Sequence, residues 1–198
     1  MNYNLNKKYS TNFNKYGETP NGVFWNSNHN QTKKFEELLN KISDNKAIIA
    51  DVGCGYGALY RYIYVRNLLT RFTYQGVDIN LNFINCCKKK YPNVDFFLSN
   101  KPFTNVDYAL MSGTYNLAVI NNIAIWEKYI LDNLRECFLL CKSGIIFNMQ
   151  ISNLTEIRNN IFYTTERRMI SLLFKITKNI KCFKSNYFSN EIIFVLLR

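Results

Sequence analysis

The fold of this chain is decided by the stretch AIIADVGCGYGAL, residues 47–59. Its small and apolar first half predicts a short buried strand, and the alternating glycines that follow predict a tight turn into a helix. Glycine permits positive φ at Gly53, Gly55 and Gly57 and keeps Cβ atoms away from a ligand. The next helix would present its N–H groups and partial positive charge at the same place. The stretch therefore predicts a ligand site at the carboxyl end of a strand.

Strands and helices continue to alternate after this stretch. Apolar runs predict further strands at 72–77, 94–98, 108–111, 145–149, 180–183 and 191–197. Helical periodicity predicts the intervening helices, and we expect the longest to end at Ser143 and Gly144, with glycine just after its last turn. Such alternation is typical of an α/β three-layer αβα sandwich with a seven-stranded, mostly parallel sheet. The last two strands are close enough along the chain to form an antiparallel pair.

Residues 1–46 differ from the rest of the chain in pattern. Two amphipathic helices are predicted there, interrupted by Gly17 and by residues 20–22, with Ser27 among the candidate N-caps of the second. We predict two parts, an N-terminal helical extension or lid at 1–46 and an α/β domain at 47–198. No Pro/Gly/Ser-rich linker divides the domain further.

The composition excludes several classes of protein. The chain has 198 residues, is 47% hydrophobic and lacks an apolar run of 18 residues, so a disordered chain is excluded and no membrane partner is expected. We expect a cytoplasmic location, because the first twenty residues contain no secretory h-region. The six cysteines have no metal-ligand spacing, and His29 is the one histidine, so no metal is expected.

The net charge of +11 favours polyanionic partners, nucleic acid first. The lysines are spread along the chain, however, which is typical of a solvated surface. Basic and aromatic residues alternate between residues 167 and 188, and this run is a candidate RNA surface. RNA therefore stays open as a partner.

Asp78 follows Gly57 by 21 residues and ends the second predicted strand. A strand, glycine turn, helix, strand and terminal acid together form a nucleoside-binding fingerprint. The spacing of Gly53, Gly55 and Ala58 also satisfies the NAD-type pattern. Three features favour a different nucleoside, one that carries a cationic amino group. They are the acid Asp51 at the end of the first strand, the helical extension before the motif, and the pair of strands that closes the chain.

These features together resemble the class I S-adenosylmethionine-dependent methyltransferases. The resemblance covers residues 42–198 in pattern and residues 47–80 in specific motifs, and it implies their Rossmann-like fold with a reversed final strand. A narrower similarity to small bacterial methyltransferase-domain proteins involves residues 22–27 with Gln31, residues 53–59 and residues 112–116.

The resemblance implies a binding site for S-adenosylmethionine around the glycine loop. Gly53, Cys54, Gly55, Tyr56 and Gly57 would face the methionine part of the cofactor. Asp51 would orient this loop near the ammonium group, and Asp78 would bind the ribose. The loop and its two acids are thus the expected centre of the site.

Six further residues are expected around the cofactor. Ile79 would pack on the adenine, and Asn100 would replace the acid that such families often place near the adenine amino group. Ser112 and Gly113 would lie beside the sulfonium. Trp25 either covers the cofactor as part of the lid or pins the extension onto the sheet, and Gln31 would reach the methionine carboxylate.

The loop after the fourth strand is the expected place for the methyl acceptor. There, Asn116 could hydrogen-bond a substrate amine and Tyr115 could stack on it; alternatively, Asn116 caps a turn and Tyr115 belongs to the core. Methyl transfer depends mainly on positioning, so no residue is assigned a catalytic role. The sequence predicts a methyltransferase with a small-molecule acceptor. An RNA methyltransferase and a non-catalytic S-adenosylmethionine-binding subunit remain the alternatives.

Overall fold

A seven-stranded sheet forms the centre of the molecule, and the computed structural model describes all residues, 1–198. The strands are β1 Ala47–Val52, β2 Phe72–Asp78, β3 Asp95–Leu98, β4 Val106–Met111, β5 Cys141–Gln150, β6 Glu156–Arg158, β7 Ile161–Tyr163, β8 Ile180–Lys184 and β9 Glu191–Leu197. The α-helices are α1 Asn2–Tyr16, α2 Asn28–Leu39, α3 Ala58–Val65, α4 Leu81–Lys90, α5 Ile123–Leu139 and α6 Glu166–Leu173. No helix combines the length and the apolar character needed to cross a bilayer.

The strand order of the sheet is β3-β2-β1-β4-β5-β9-β8. The first five strands in this order are parallel, whereas β9 runs antiparallel to β5 and β8 antiparallel to β9. This arrangement confirms the predicted fold class, including the reversed final strand. The order changes direction between β1 and β4, and sheets of this kind bind ligands beyond the carboxyl ends of the strands at such a point.

Two apolar clusters cover the two faces of the sheet. Side chains of α5 and α6, among them Trp126 and Met169, fill one face, and those of α2, α3 and α4, among them Leu38 and Ile63, fill the other. The apolar stripe of each helix faces the sheet because burying it removes apolar surface from water. The sheet therefore has the three-layer arrangement expected for nearly continuous apolar strands.

The structure corrects the predicted boundary between the longest helix and the fifth strand. Helix α5 ends at Leu139, and Ser143 and Gly144 lie inside β5. A Cβ at Gly144 would lie 2.0 Å from the carbonyl oxygen of Leu196 on β9. Glycine is present here because the neighbouring backbone approaches closely, and it does not mark the end of a helix.

A two-stranded hairpin, β6–β7, was not predicted. It pairs Glu156 with Tyr163 and Arg158 with Ile161 and lies outside the main sheet. Asn159 and Asn160 form its turn with φ of 52° and 62°. Asparagine tolerates this left-handed conformation better than most residues, so the Asn–Asn pair is the local signal for the turn.

The N-terminal extension packs on two parts of the sheet: α2 covers one face and α1 lies at the carboxyl edge. Ser27 is the N-cap of α2, because its hydroxyl accepts the Asn30 N–H at 3.2 Å. On α1, Phe13 packs edge-to-face on Phe83 of α4 with ring centroids 4.9 Å apart. Leu5 is buried in the same apolar cluster as α5. The extension therefore covers the edge where the sheet changes strand order, although its action as a lid stays a prediction.

Candidate active site

A cavity of about 480 Å³ opens at the carboxyl ends of β1 and β4. The glycine loop after β1 forms its floor, and residues of α1, α2 and the intervening segment form its outer wall. All the site residues predicted from the sequence line it except Gly57: Trp25, Gln31, Asp51, Gly53, Cys54, Gly55, Tyr56, Asp78, Ile79, Asn100, Ser112, Gly113, Tyr115 and Asn116. The topology has thus brought segments far apart in sequence to one place.

The glycine loop is held by hydrogen bonds within the protein. The N–H groups of Gly53 and Cys54 donate to the Val77 carbonyl oxygen at 2.8 and 3.0 Å, and Gly57 N–H donates to the Cys54 carbonyl oxygen at 3.0 Å. Gly53, Gly55 and Gly57 have φ of 79°, 53° and 80°, values that favour glycine. These N–H groups are satisfied before any ligand arrives, so the loop is pre-organised.

Gly57 supports this loop from behind. A Cβ there would lie 3.2 Å from the Cys87 sulfur and 3.2 Å from the Tyr91 ring. The residue therefore has a packing role against α4 and does not reach the cavity. The predicted contact between Gly57 and a cofactor is not seen in the cavity wall.

Asp78 fixes the loop to the end of β2. One carboxylate oxygen accepts the Gly55 N–H at 2.9 Å and the other accepts the Asn80 N–H at 2.8 Å. Burial raises the pKa of Asp78 to about 6, and these backbone donors oppose the rise. Each carboxylate oxygen retains a further lone pair, so Asp78 can hold the loop and still accept hydrogen bonds from a ligand.

Asp51 is the second buried acid of the site. Burial raises its pKa to about 7, against the effect of the Tyr74 hydroxyl, which donates to the carboxylate at 2.8 Å. No basic side chain pairs with either Asp51 or Asp78. The floor of the cavity therefore carries uncompensated acidity, which favours a cationic ligand over a pyrophosphate.

Polar groups also stand at the other predicted cofactor contacts. The Asn100 amide donates to the Asn133 side-chain oxygen at 3.1 Å. Both residues line the cavity, as does Ile79. The buried Ser112 hydroxyl has no hydrogen-bond partner within the protein. Gly113 N–H donates to the Asn148 side-chain oxygen at 2.8 Å. Ser112 is thus a polar group that a ligand could satisfy.

The extension supplies the two predicted lining residues Gln31 and Trp25. The Tyr56 hydroxyl donates to Gln31 Oε1 at 2.8 Å, which leaves the Gln31 amide N–H groups for another acceptor. Trp25 is half-buried and lies so close to the loop after β4 that a Cβ at Gly113 would be 3.1 Å from its ring. Both positions are compatible with a cover over a bound cofactor.

Tyr115 and Asn116 occupy different environments. The Tyr115 ring belongs to the apolar cluster of α5, and its buried hydroxyl has no partner. Asn116 Oδ1 accepts the Gln150 N–H at 3.3 Å, so its Nδ2 is the group that remains for a ligand. A substrate contact by either residue stays a prediction.

Several lining residues were missed by the sequence analysis. Lys34 of α2 is buried and forms an ion pair with Glu191 at the start of β9, and Gln150 Nε2 donates to the same carboxylate at 2.9 Å. Tyr163 of the hairpin and Phe188 before β9 also line the cavity. The available signal was a lysine on the apolar face of α2, three residues after Gln31 and next to the buried Phe35.

Comparison with known sequences identifies two relatives, while no protein-family model matches the chain. The chain is 27% identical to "Putative methyltransferase Rv1506c" of Mycobacterium tuberculosis over 120 residues, which are 58% of this chain and 71% of that protein. It is 32% identical to "Putative methyltransferase 235L" of Invertebrate iridescent virus 6 over 91 residues, 42% of this chain and 33% of the viral protein.

Solved structures extend the comparison to the whole chain. A Leishmania major SAM-dependent methyltransferase superimposes with a TM-score of 0.69 at 12% identity, covering 97% of this chain and 82% of that one. The chain has the class I methyltransferase fold. Human N-acetylserotonin methyltransferase shares this fold, with a TM-score of 0.62 at 12% identity over 100% of this chain and 66% of its own. Both comparisons confirm the predicted resemblance.

In this methyltransferase fold, the cavity lies at the point of strand reversal, between β1 and β4. The position of the cavity agrees with the general rule for ligands of open α/β sheets. The antiparallel β8–β9 pair stands where a dinucleotide-binding fold would continue with a second mononucleotide-binding half. The NAD alternative consequently loses its structural basis.

Proposed function

We propose that the protein is an S-adenosylmethionine-dependent methyltransferase that acts on a small molecule. The observation that carries the proposal is the acidic floor of the cavity, where Asp51 and Asp78 lie beside a glycine loop whose N–H groups are already satisfied. A cofactor with an ammonium and a sulfonium matches this floor. A pyrophosphate would meet two carboxylates and would find no free N–H on Gly53, Cys54, Gly55 or Gly57.

The residues present fit the cofactor in three places. Asp78 would bind the ribose hydroxyls. The free amide N–H groups of Gln31 would donate to the amino-acid carboxylate, and the unpartnered Ser112 hydroxyl would lie beside the sulfonium. Ile79 offers an apolar surface for the adenine. When bound, the cofactor supplies an electrophilic methyl carbon on a sulfonium leaving group.

The protein would contribute positioning and the exclusion of water. Proximity and orientation of this kind can lower a barrier by about 7–11 kcal/mol. Tyr9 and Trp25 contribute to the outer wall, so a bound acceptor would be screened from solvent. This outer wall favours a small acceptor over RNA. The cavity volume of about 480 Å³ does so too, because the acceptor must share that volume with the cofactor.

Calorimetry with S-adenosylhomocysteine, S-adenosylmethionine and NAD tests the binding half of this proposal. We expect both sulfur nucleosides to bind and NAD to bind at least 100-fold more weakly. The same measurement on Asp78→Ala tests the role of this acid. Asp95→Ala is the matched control variant, because Asp95 is exposed at the start of β3. Tight NAD binding, or no binding of either sulfur nucleoside, would refute the proposal.

Transfer of a labelled methyl group to a metabolite extract tests the catalytic half. We expect label in the small-molecule fraction, and label in RNA alone would refute the small acceptor. Retained binding of S-adenosylmethionine without any labelled product would instead favour a non-catalytic binding subunit.

A further inference from the structure

The cavity is also lined by residues that none of the proposed cofactor contacts uses, among them Lys34, Tyr163 and Phe188. Its walls include three aromatic side chains, Trp25 before α2, Tyr163 of β7 and Phe188 before β9. We refer to the part bounded by these three residues, Lys34 and Asn116 as the aromatic chamber. The chamber borders the place where the methyl group of the proposed cofactor would lie, and its flat apolar walls suit an aromatic ring.

The polar groups that face the aromatic chamber are mainly hydrogen-bond donors. Asn116 Nδ2 has no partner within the protein, and it would lie 3.7 Å from a Cβ at Gly113. The Lys34 ammonium lies 4.8 Å from the ring centroid of Trp25 and 4.6 Å from that of Phe188. Glu191 neutralises the charge of Lys34. Recognition would therefore come from directed N–H groups, which fit an oxygen that accepts hydrogen bonds.

No carboxylate and no histidine lines the aromatic chamber. The carboxylates that line the cavity, Asp51 and Asp78, lie under the glycine loop and are bonded to Tyr74 and to backbone N–H groups. Glu191 does not line the cavity: its Oε2 is bonded to Lys34 and Gln150, and its Oε1 is buried without a partner. A nucleophile that must first lose a proton would therefore find no carboxylate or imidazole in the chamber wall to accept it.

We propose that the acceptor is a small aromatic carboxylate, methylated on its ionised oxygen. This inference rests on the proposed function and specifies its substrate class. A lone pair of the carboxylate oxygen forms the new carbon–oxygen bond while the carbon–sulfur bond breaks and its electron pair stays on sulfur. The products are a methyl ester and a neutral thioether, and no proton is transferred. A carboxylic acid is already ionised at pH 7, which explains why the aromatic chamber needs no base.

Amines and alcohols fit the same surroundings less well. An aliphatic amine is protonated at pH 7 and must lose that proton before it can attack, and the chamber wall holds no carboxylate or histidine to accept it. An alcohol retains its proton at this pH and meets the same absence of a base. The carboxylate alone among the three matches both the donors and the missing base.

Binding to the protein loaded with S-adenosylhomocysteine tests the inference without turnover. The probes are benzoate, phenylacetate and 2-naphthoate, each compared by calorimetry with its matched primary amine and alcohol. We expect at least one acid to bind ten times more tightly than its amine and its alcohol. With S-adenosylmethionine, mass spectrometry should then detect the methyl ester of that acid.

Two variants locate the binding to the aromatic chamber. Asn116→Asp replaces the free donor with a negative charge, and Lys34→Met removes the ammonium; each should weaken binding of the acid at least tenfold. Lys33→Met is the matched control, because Lys33 precedes Lys34 on α2 and pairs outward with Glu36 at 3.1 Å. Circular dichroism and thermal unfolding show whether Asn116→Asp and Lys34→Met are folded, and Lys33→Met should bind the acid as tightly as the wild-type chain.

The outcomes separate this inference from the proposed function. If S-adenosylhomocysteine binds but the amine or alcohol binds better, or no probe of the three series binds, the inference is overturned and the proposed function stands. Full binding of the acid to Asn116→Asp would also overturn it. If S-adenosylhomocysteine does not bind the wild-type chain, both fail together.

Discussion

The cofactor half of the cavity and the aromatic chamber are built in different ways. The cofactor half consists of residues 51–57 and Asp78, which lie at the ends of adjacent strands and are joined by backbone hydrogen bonds and by the Asp78 carboxylate. The aromatic chamber is assembled from the extension, the loop after β4, the hairpin and the loop before β9. The cofactor half is therefore ordered by hydrogen bonds between adjacent segments, whereas the aromatic chamber depends on the packing of distant segments.

The difference indicates that the floor determines cofactor binding in the proposed enzyme and that the chamber walls determine acceptor binding. A pre-organised cofactor floor costs little to order on binding, because its turn and its hydrogen bonds exist beforehand. The aromatic chamber can vary in shape without disturbing the floor, since its walls come from loops on the scaffold. We therefore expect substitutions in the floor to change cofactor affinity strongly and substitutions in the walls to change it weakly.

Asp78→Ala should have the largest effect on cofactor binding. The substitution removes the proposed charged partner of the ribose and leaves the N–H groups of Gly55 and Asn80 without this acceptor. We expect S-adenosylhomocysteine affinity to fall by at least ~1.5 kcal/mol, measured by calorimetry. Asp78→Asn, which keeps one acceptor oxygen, should recover part of the loss. Unchanged affinity in Asp78→Ala would place the ribose elsewhere and remove the contrast between the two halves.

A change of pH should have the next largest effect. Because burial raises the pKa of Asp51 to about 7 and of Asp78 to about 6, the folded state holds these protons more tightly than the unfolded chain. Their contribution to stability is fully present below the unfolded pKa of about 3.8 and is lost as the pH rises through 6 to 7. A cationic ligand reverses this loss, because it favours the ionised carboxylates.

The measurement is a thermal unfolding series with and without S-adenosylmethionine at several pH values. We expect the unliganded protein to lose stability between about pH 4 and pH 7, and cofactor affinity to rise about tenfold between pH 6 and 7.5. The Asp51→Asn variant should flatten the rise in affinity. An affinity that is constant with pH would show that neither acid contacts the charged groups of the ligand.

Trp25→Ala should have a moderate effect, since it removes a wall that both halves share. Trp25 is half-buried and lies close to Gly113. We expect cofactor affinity to fall by about 1 kcal/mol, and binding of an aromatic acceptor to fall more, because the ring is a wall of the aromatic chamber. Trp25→Phe should restore most of the acceptor binding. Equal losses for cofactor and acceptor would mean that Trp25 acts only by pinning the extension onto the sheet.

The two halves also differ in how far the sequence predicts them. The strand, the glycine loop and Asp78 follow from short-range spacing, so the sheet and the meeting of the loop with Asp78 were predicted correctly. Their contact with a cofactor stays a prediction. Lys34 and Glu191 are 157 residues apart, and no local pattern reveals that they meet. Gly144 shows the same limit within the fold. Glycine is required there because the Leu196 carbonyl approaches closely, and Leu196 lies on a strand about fifty residues later in the chain. Three-residue strands such as β6 and β7 are too short to show an alternating pattern.

Tyr56→Phe should have the smallest effect, and it tests how the extension joins the floor. Burial raises the pKa of Tyr56 to about 12, so its hydroxyl stays protonated and donates to Gln31 Oε1. Without this bond the Gln31 amide is free to rotate, and its N–H groups are no longer directed at the amino-acid carboxylate of the cofactor. We expect S-adenosylhomocysteine affinity to fall by about 0.5–1 kcal/mol. Adenosine, which lacks that carboxylate, should bind Tyr56→Phe and the wild-type chain equally, whereas an equal loss for both ligands would show that the hydroxyl only supports the loop.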